Sequence, residues 1–532
     1  MSGGKIELHL TSSEWLASNE GDLHLWYPGS GGTRLLNELR SEALDVDALK
    51  GIGGHFALVD LRGPEPLLVV DRLRSRALFY RWEDGRWLVT DDPEVFRDRP
   101  NFQLDRDAAE AFRHLSFVPG NRTLIQNVTA VEAGGSATLG ASSAQTRIYD
   151  PMAFSEERVE DEEEFSSLFA AALDKAFARM LEDFPDKRFL VPLSGGLDSR
   201  LMLTWLKRSG AKDVQAFTYG TAKSEIATAT DIARQMDVPI EVITYDPKTI
   251  SQAWAQEGSG AFLRDTWMAA SLPHVQDWYA LRVLKEKGLL DEDTVVVPGH
   301  VVVGYLPDAD LLGKHLSRGE IGEVLAKHHG SLQGAPEDLY HSPVFQESVN
   351  NVLDEVGYDG GRASIQSALE AWNLKESHAK YTNNSVKAYE HFGAAWAMPF
   401  LDREVWNAWF SGGEELTKDR GWYKRFVTQQ FGLSGGARTD FYDSRHAPTK
   451  SVVESSFGRW LARSSLAPLI TQAHAALVWE DHPLALQAFH PARGKLSSFL
   501  KVLSGRDPVG FWVSAFLKGK WGDKTEVVPL AK

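Results

Sequence analysis

Short apolar runs separated by turn residues fill roughly the first 150 positions. The runs at 23–27, 55–59, 66–70, 77–82 and 87–90 have strand length, and Gly53-Gly54, Arg62-Gly63-Pro64 and Glu83-Asp84-Gly85 punctuate them. That spacing predicts a β-rich first unit. An acidic stretch from about 155 to 165 follows. It reads as a linker or as the start of a helix, and the pattern after it favours the helix. From 189 the pattern alternates: 189–191 is a strand, 200–206 an amphipathic helix, 214–219 a strand, 224–236 a helix, 240–244 a strand and 294–297 another. Alternation of this kind predicts a parallel sheet with helical crossovers. Beyond about 310 the chain reads as mostly helical and rich in tryptophan, with no internal repeat or low-complexity tract.

Composition narrows the picture modestly. A chain of 532 residues has room for two or three domains. A net charge of −16 argues against a nucleic-acid partner bound through phosphate neutralisation. The chain has no cysteine, which excludes disulfides, thiolate metal sites and a cysteine nucleophile. The N-terminal MSGGKIELHL lacks the pattern of a secretory signal, and no apolar run reaches bilayer length, so the expectation is no membrane span and a cytoplasmic location. No His/Asp/Glu set has transition-metal spacing. Trp406, Trp409, Trp422 and Trp460 fall in helix-like patterns that favour core packing, with a sugar-stacking platform as the alternative.

The most informative stretch is Leu193-Ser194-Gly195-Gly196-Leu197-Asp198-Ser199, between the strand at 189–191 and the helix at 200–206. A strand, a Gly-Gly turn and a helix N-terminus make an anion site, because free N–H groups and the helix dipole converge on it. Ser194 and Ser199 add hydroxyl donors and Asp198 a carboxylate suited to Mg²⁺. The loop lacks the lysine of the G-x-x-x-x-G-K-[ST] phosphate loop. S-G-G-x-D-S instead resembles the pyrophosphate loop of ATP pyrophosphatases.

Further segments extend the resemblance over most of the chain, to about residue 460. The segment 54–60 (GHFALVD), the segment 71–80 (DRLRSRALFY) and the segment 119–124 (PGNRTL) lie in the order found in the asparagine synthetase-like (class B) family. So do Val297-Pro298-Gly299-His300, the run 384–393 and Met398-Pro399-Phe400-Leu401-Asp402. The run 384–402 resembles a branch linked to surface-polysaccharide assembly, whose members are thought to amidate acidic sugars. The resemblance implies an α/β fold: a degenerate Ntn-hydrolase-like αββα sandwich at 1–150, then an ATP-pyrophosphatase (adenine nucleotide alpha hydrolase-like) parallel-sheet domain at 160–532 with a helical C-terminal region.

The activity it implies is an AMP-forming amide ligase using ATP and Mg²⁺. A small-molecule or peptide carboxylate (aspartate, a uronic acid) is adenylated, and ammonia or an amine then attacks. The alternatives are an inactive relative serving as a binding or scaffold protein and a lactam- or macrolactam-forming synthetase. A homo-oligomer is compatible with the sequence. By resemblance, Ser194, Gly195, Gly196 and Ser199 cradle pyrophosphate and Asp198 holds the metal. Leu193, Phe217 and Thr218 flank adenine, and Gly299 belongs to a second active-site turn. Lys450, Lys424 and Glu390 are the catalytic candidates.

Departures bear on this reading. Glutaminase members carry a cysteine after the initiator Met, where Ser2 stands here, so the first unit is expected to lack glutaminase activity. Val303 stands where the family places an acidic residue, with Asp308 and Asp310 as nearby substitutes. Ala395 and Ala397 stand where many synthetases carry Glu and Arg.

Overall fold

The computed structural model describes residues 5–40, 44–99, 102–256, 259–304, 306, 309–437, 484–489 and 495–519. The early turn-punctuated runs form strands, as their pattern predicts. The strands of this half are β1 (Lys5–His9), β2 (Trp15–Ala17), β3 (Leu23–Trp26), β4 (Ala57–Asp60), β5 (Leu67–Val70), β6 (Phe79–Glu83), β7 (Arg86–Thr90), β8 (Thr129–Ala130), β9 (Gly135–Leu139) and β10 (Ala144–Ile148); β3 to β7 are the predicted runs, and the others lie outside them. One sheet has the order β1-β7-β6-β8 and the other β10-β9-β5-β4-β3-β2. Alternation along β3 and β4 divides the second sheet's faces. Leu23, Leu25 and Leu58 pack with Leu36 of the helix Gly32–Leu39, while Trp26, Ala57 and Val59 join the large core shared with Tyr80 and Leu88 of the first sheet.

The acidic stretch is a helix start. Asp161 caps the helix Glu162–Asp183 by accepting from the Glu164 N–H at 2.8 Å, and Glu162, Glu163 and Glu164 occupy its positive first turn. Phe165, Phe169, Ala172, Leu173, Ala176, Phe177 and Met180 then lay a buried stripe along it at helical spacing. Trp422 packs edge-on against Phe169, with ring centroids 5.3 Å apart. Trp406, Trp409 and Trp422 are all fully buried, which makes them core residues rather than an exposed stacking platform. Trp460 lies outside the described residues.

The second half holds a five-stranded, all-parallel sheet. β11 (Arg188–Pro192), β12 (Val214–Gly220), β13 (Ile240–Thr244), β14 (Thr294–Val296) and β15 (Ala395–Trp396) run in the order β13-β12-β11-β14-β15. The chain is thus α/β, with a parallel sheet, helices and a preceding two-sheet unit. β12 and β13 extend the sheet on one side of β11, and β14 returns on the other. The order therefore reverses at β11, and the crevice between the carboxyl ends of β11 and β14 is where such sheets bind ligands. Among the described residues no helix is long and apolar enough to cross a membrane.

Bonds cross between the halves. The Gly54 N–H donates to Asp402 Oδ2 at 3.0 Å and Arg72 Nη1 donates to Asn407 Oδ1 at 3.2 Å; within the halves, Asp150 pairs with the same Arg72 at 2.6 Å and Arg179 pairs with the same Asp402. Burial of these groups makes the contact between the halves polar and specific.

Candidate active site

β11 delivers the 193–199 loop to the crevice. The helix Leu197–Arg208 begins on Gly196 with no side chain capping its first turn, which leaves helix N–H groups available to an anion. Serine hydroxyls brace the loop from within. Ser199 Oγ accepts from the Ser194 N–H at 3.0 Å and lies 3.0 Å from Ser194 Oγ, which accepts from the Gly196 N–H at 3.2 Å. Leu193 N–H donates to Phe217 O at 2.8 Å, so Leu193, Phe217 and Thr218 sit together, all buried, on the β12 side of the loop.

On the other side, the turn after β14 lies against the loop. A Cβ on Gly299 would stand 2.8 Å from Ser199 N and 3.0 Å from Asp198 C. Only a residue without a side chain permits that approach. Gly299, Asp198, Val303 and Gly304 line a cavity of about 390 Å³ with His300, His328, His329, His378 and Arg420. Arg420, immediately before the helix Gly421–Leu433, forms an ion pair with Asp198 and lies 5.0 Å over the Tyr423 ring. Burial and the Arg420 charge push His378 down to about 4, and burial pushes His300 and His329 to about 3. All three imidazoles are therefore neutral at physiological pH.

Other expected participants fall elsewhere. Lys424 is exposed one turn beyond Arg420 and does not line the cavity. Lys450 and Asp308 lie outside the described residues, and Asp310 is exposed. Glu390 is in a second cavity, of about 610 Å³, between the halves. There it accepts from Lys387 at 2.9 Å, Arg76 at 3.2 Å and Trp396 Nε1 at 2.9 Å. Burial would raise its pKa, but the charges of Lys387 and Arg76 prevail and hold it down to about 2. Among the described residues the two cavities share no lining residue, and Ala395 belongs to the second. The structure does not bring Glu390 to the 193–199 loop.

Arg420 is the cation that sequence reading missed. It sits in a polar stretch, Lys418-Asp419-Arg420-Gly421, whose only sequence signal is its place just before an apolar helix. Arg420→Ala is expected to lower turnover by about 10²-fold, the scale of one lost electrostatic contact to a transition state. Comparison of kcat and KM for ATP in the variant checks this, and unchanged kcat would remove Arg420 from the chemistry.

Glu370 supports the turn from behind. It is 3% exposed, and its Oε1 accepts from the Gly304 N–H at 3.1 Å and Trp409 Nε1 at 2.9 Å. Burial pushes it up to about 7, the two hydrogen bonds opposing only in part. The folded state therefore holds this proton to higher pH than the unfolded chain. The stability linked to it is unaffected below the ordinary carboxylate value, falls as pH rises toward 7, and is flat above. The loss amounts to roughly 3 kcal/mol. Glu370→Gln keeps an acceptor for both donors and is expected to narrow the stability difference between pH 5 and pH 8 in urea titrations. An identical pH dependence in the variant would contradict it.

Among the described residues no group of three or more His, Asp or Glu is placed to hold a metal ion. Mg²⁺, however, commonly binds through one or two carboxylates together with substrate phosphates and waters. Asp198, beside the uncapped helix start, fits an ion shared with a nucleotide.

The asparagine synthase family model matches residues 168–429. A search of curated proteins finds no match. Among solved structures, an NH3-dependent NAD synthetase from Campylobacter jejuni subsp. jejuni NCTC 11168 is 16% identical, with 29% of this chain and 59% of that chain covered and a TM-score of 0.17. An NMN synthetase from Francisella tularensis is 12% identical over 42% of this chain and 97% of that one, with a TM-score of 0.21. The chain thus spans 59% of the length of the first of these. With the strand–loop–helix at 188–208 and the glycine-tight turn at 299 inside the matched stretch, residues 168–429 are a domain of the asparagine synthase family.

Proposed function

We propose that the protein is an ATP-dependent, AMP-forming amide ligase of the asparagine synthetase type. The observation that carries this reading is the meeting of the 193–199 loop and the 297–304 turn at the reversal point of the sheet, with Asp198 and Arg420 paired at the edge of the cavity.

In this reading the acid's carboxylate oxygen attacks the α-phosphorus of ATP. The bond to the bridging oxygen breaks, and diphosphate departs onto the 194–199 loop. Ammonia or an amine then attacks the acyl carbon and AMP leaves with the electron pair. The uncapped helix start and the Gly195 and Gly196 backbone receive the diphosphate. Arg420 exchanges its carboxylate partner for phosphate oxygens, placing a planar guanidinium on the charge that builds there. Mg²⁺, held by Asp198 and the phosphates, would neutralise further charge. Leu193, Phe217 and Thr218 flank the adenine side. The first 150 residues act as a structural unit without glutaminase activity, since the chain has no cysteine to supply that nucleophile.

Carboxylate-dependent exchange of labelled pyrophosphate into ATP tests the proposal. Exchange supports it, whereas Mg·ATP binding without exchange for any acid would favour a second reading, a binding protein derived from a ligase. Val303, an apolar residue in the turn lining the cavity, is the observation behind that second reading. A lactam-forming ligase would give exchange with one substrate carrying both acid and amine.

A further inference from the structure

We infer that His378 is the group that takes the proton released when the nitrogen nucleophile attacks the acyl-adenylate. This deepens the ligase reading and rests on it. Attack by ammonia or an amine leaves a positive charge on nitrogen, and a positioned base speeds the loss of its proton. Neither Ala395 nor Glu390 supplies that base beside the 193–199 loop. Ala395 has no titratable group, and both residues line the other cavity, where Lys387 and Arg76 hold the Glu390 carboxylate.

Among the described residues lining the cavity beside the loop, the groups able to accept a proton are Asp198, His300, His328, His329 and His378. Asp198 is paired with Arg420. His300 has its Nε2 3.4 Å from Ser385 Oγ, His329 packs 4.7 Å from the Trp372 ring, and His328 is exposed. His378 Nδ1 is buried with no hydrogen-bond partner among the described residues, so no protein contact fixes which ring nitrogen carries the hydrogen. The Arg420 charge bears on His378, and His378 bears in turn on His300 and His329, which places it between the Arg420 end of the cavity and those rings.

The backbone accounts for this position. His378 belongs to a π-helix, Asn373–Thr382, an uncommon element that recurs at functional sites. Asn373, Ser377, His378 and Thr382 line the cavity. In an α-helix, at about 100° per residue, Asn373 and Thr382 would fall on opposite faces. The wider i→i+5 turn brings them to one side. On the other side Lys375, Glu376 and Lys380 are buried in ion pairs.

Burial and the Arg420 charge push the His378 ring down to about 4, so it is neutral and able to accept. Its donor is the tetrahedral adduct, whose ammonium is far more acidic than free ammonium. Phosphate oxygens that take up the Arg420 charge relieve part of the downward push, so the ring gains basicity when the nucleotide is in place. In the step itself the nitrogen lone pair forms the C–N bond and the carbonyl π pair moves to oxygen. The N–H proton then passes to the His378 ring. The oxygen pair re-forms the carbonyl, and the bond to the phosphate oxygen breaks with its electrons leaving on AMP.

The test separates the two half-reactions of the full-length protein, with L-aspartate and D-glucuronate each offered as the acid. ATP–pyrophosphate exchange reads adenylation, and amide formed from ammonia in a single turnover reads the amine step. His378→Gln keeps a hydrogen-bond donor and acceptor but takes no proton. In this variant exchange is expected to stay within about threefold of wild type while amide formation falls about 10²-fold. Hydroxylamine is a much weaker base than ammonia, and its adduct sheds the proton readily to water. Hydroxamate formation by the variant is therefore expected to stay within about tenfold of wild type. Unchanged amide formation from ammonia, or exchange and amide formation lost in parallel, would overturn the inference. A loss as deep with hydroxylamine as with ammonia would overturn it as well, leaving His378 a positioning residue. Absence of exchange by the wild-type protein with either acid would instead count against the ligase reading, and this inference falls with it.

Discussion

Asp198→Asn is expected to lower carboxylate-dependent ATP–pyrophosphate exchange by about 10²–10³-fold with little change in unfolding midpoint. Asparagine preserves the shape of the side chain in the first turn of the helix Leu197–Arg208 and removes its charge. On the proposed reading two functions go with that charge: a carboxylate that would share a metal ion with the phosphates, and the partner that holds Arg420 at the cavity mouth. The ion pair is about one-third exposed on both sides, so its contribution to stability is small, and a fall in activity would not reflect unfolding. Asp198→Asn combined with Arg420→Ala distinguishes the roles. If both groups act on one developing charge, the double variant loses less than the product of the single losses. Exchange that persists in Asp198→Asn at wild-type rate would show that the loop does not hold the departing diphosphate.

The parts of this site that were legible in the sequence are those whose chemistry is local. A strand, two glycines and a helix start within 188–208 state an anion site in a single stretch. Gly299 was legible as a turn at a strand end, although its contact with the Asp198–Ser199 backbone is a matter of sheet order. Arg420 lies 222 positions from Asp198, and no spacing rule links them. Glu390 was drawn toward the catalytic site by its nearness in sequence to the 398–402 segment. The strand β15 separates the two, and Lys387 and Arg76 hold Glu390 in the other cavity. β15 itself is two residues long, too short to leave a period, and exists because β14 offers it an edge. β1 alternates polar and apolar residues, yet its parallel pairing with β7 is fixed only in the folded sheet. The π-helix was invisible because its residues fit an α-helical period equally well. Its buried face carries the ion pairs of Lys375, Glu376 and Lys380.

Those ion pairs give the largest expected effect on stability. Glu376 is 1% exposed, pairs with Lys380, and accepts from the Gly120 N–H at 2.9 Å, while Lys380 also donates to Gly120 O. Lys375 alongside it pairs with Glu355 at 2.6 Å. Burial alone would raise the Glu376 pKa, but the charges of Lys380 and Lys375 outweigh it and hold the group ionised. Removing one member leaves a buried ammonium without its partner, so Glu376→Ala is expected to cost about 3–5 kcal/mol, read from the urea midpoint. Replacing both members, Glu376→Met with Lys380→Met, removes the unpaired charge and is expected to recover most of that loss, because an apolar pair of similar volume does not need a counter-ion. A single variant losing less than about 1 kcal/mol, the range of an exposed pair, would show that the network is not desolvated as drawn. The same residues clamp the 119–122 segment of the first half onto the π-helix whose opposite face lines the cavity beside the 193–199 loop. The double variant therefore tests a further link: stability recovered with slowed amide formation would mean that the clamp, and not packing alone, sets the register of Ser377 and His378.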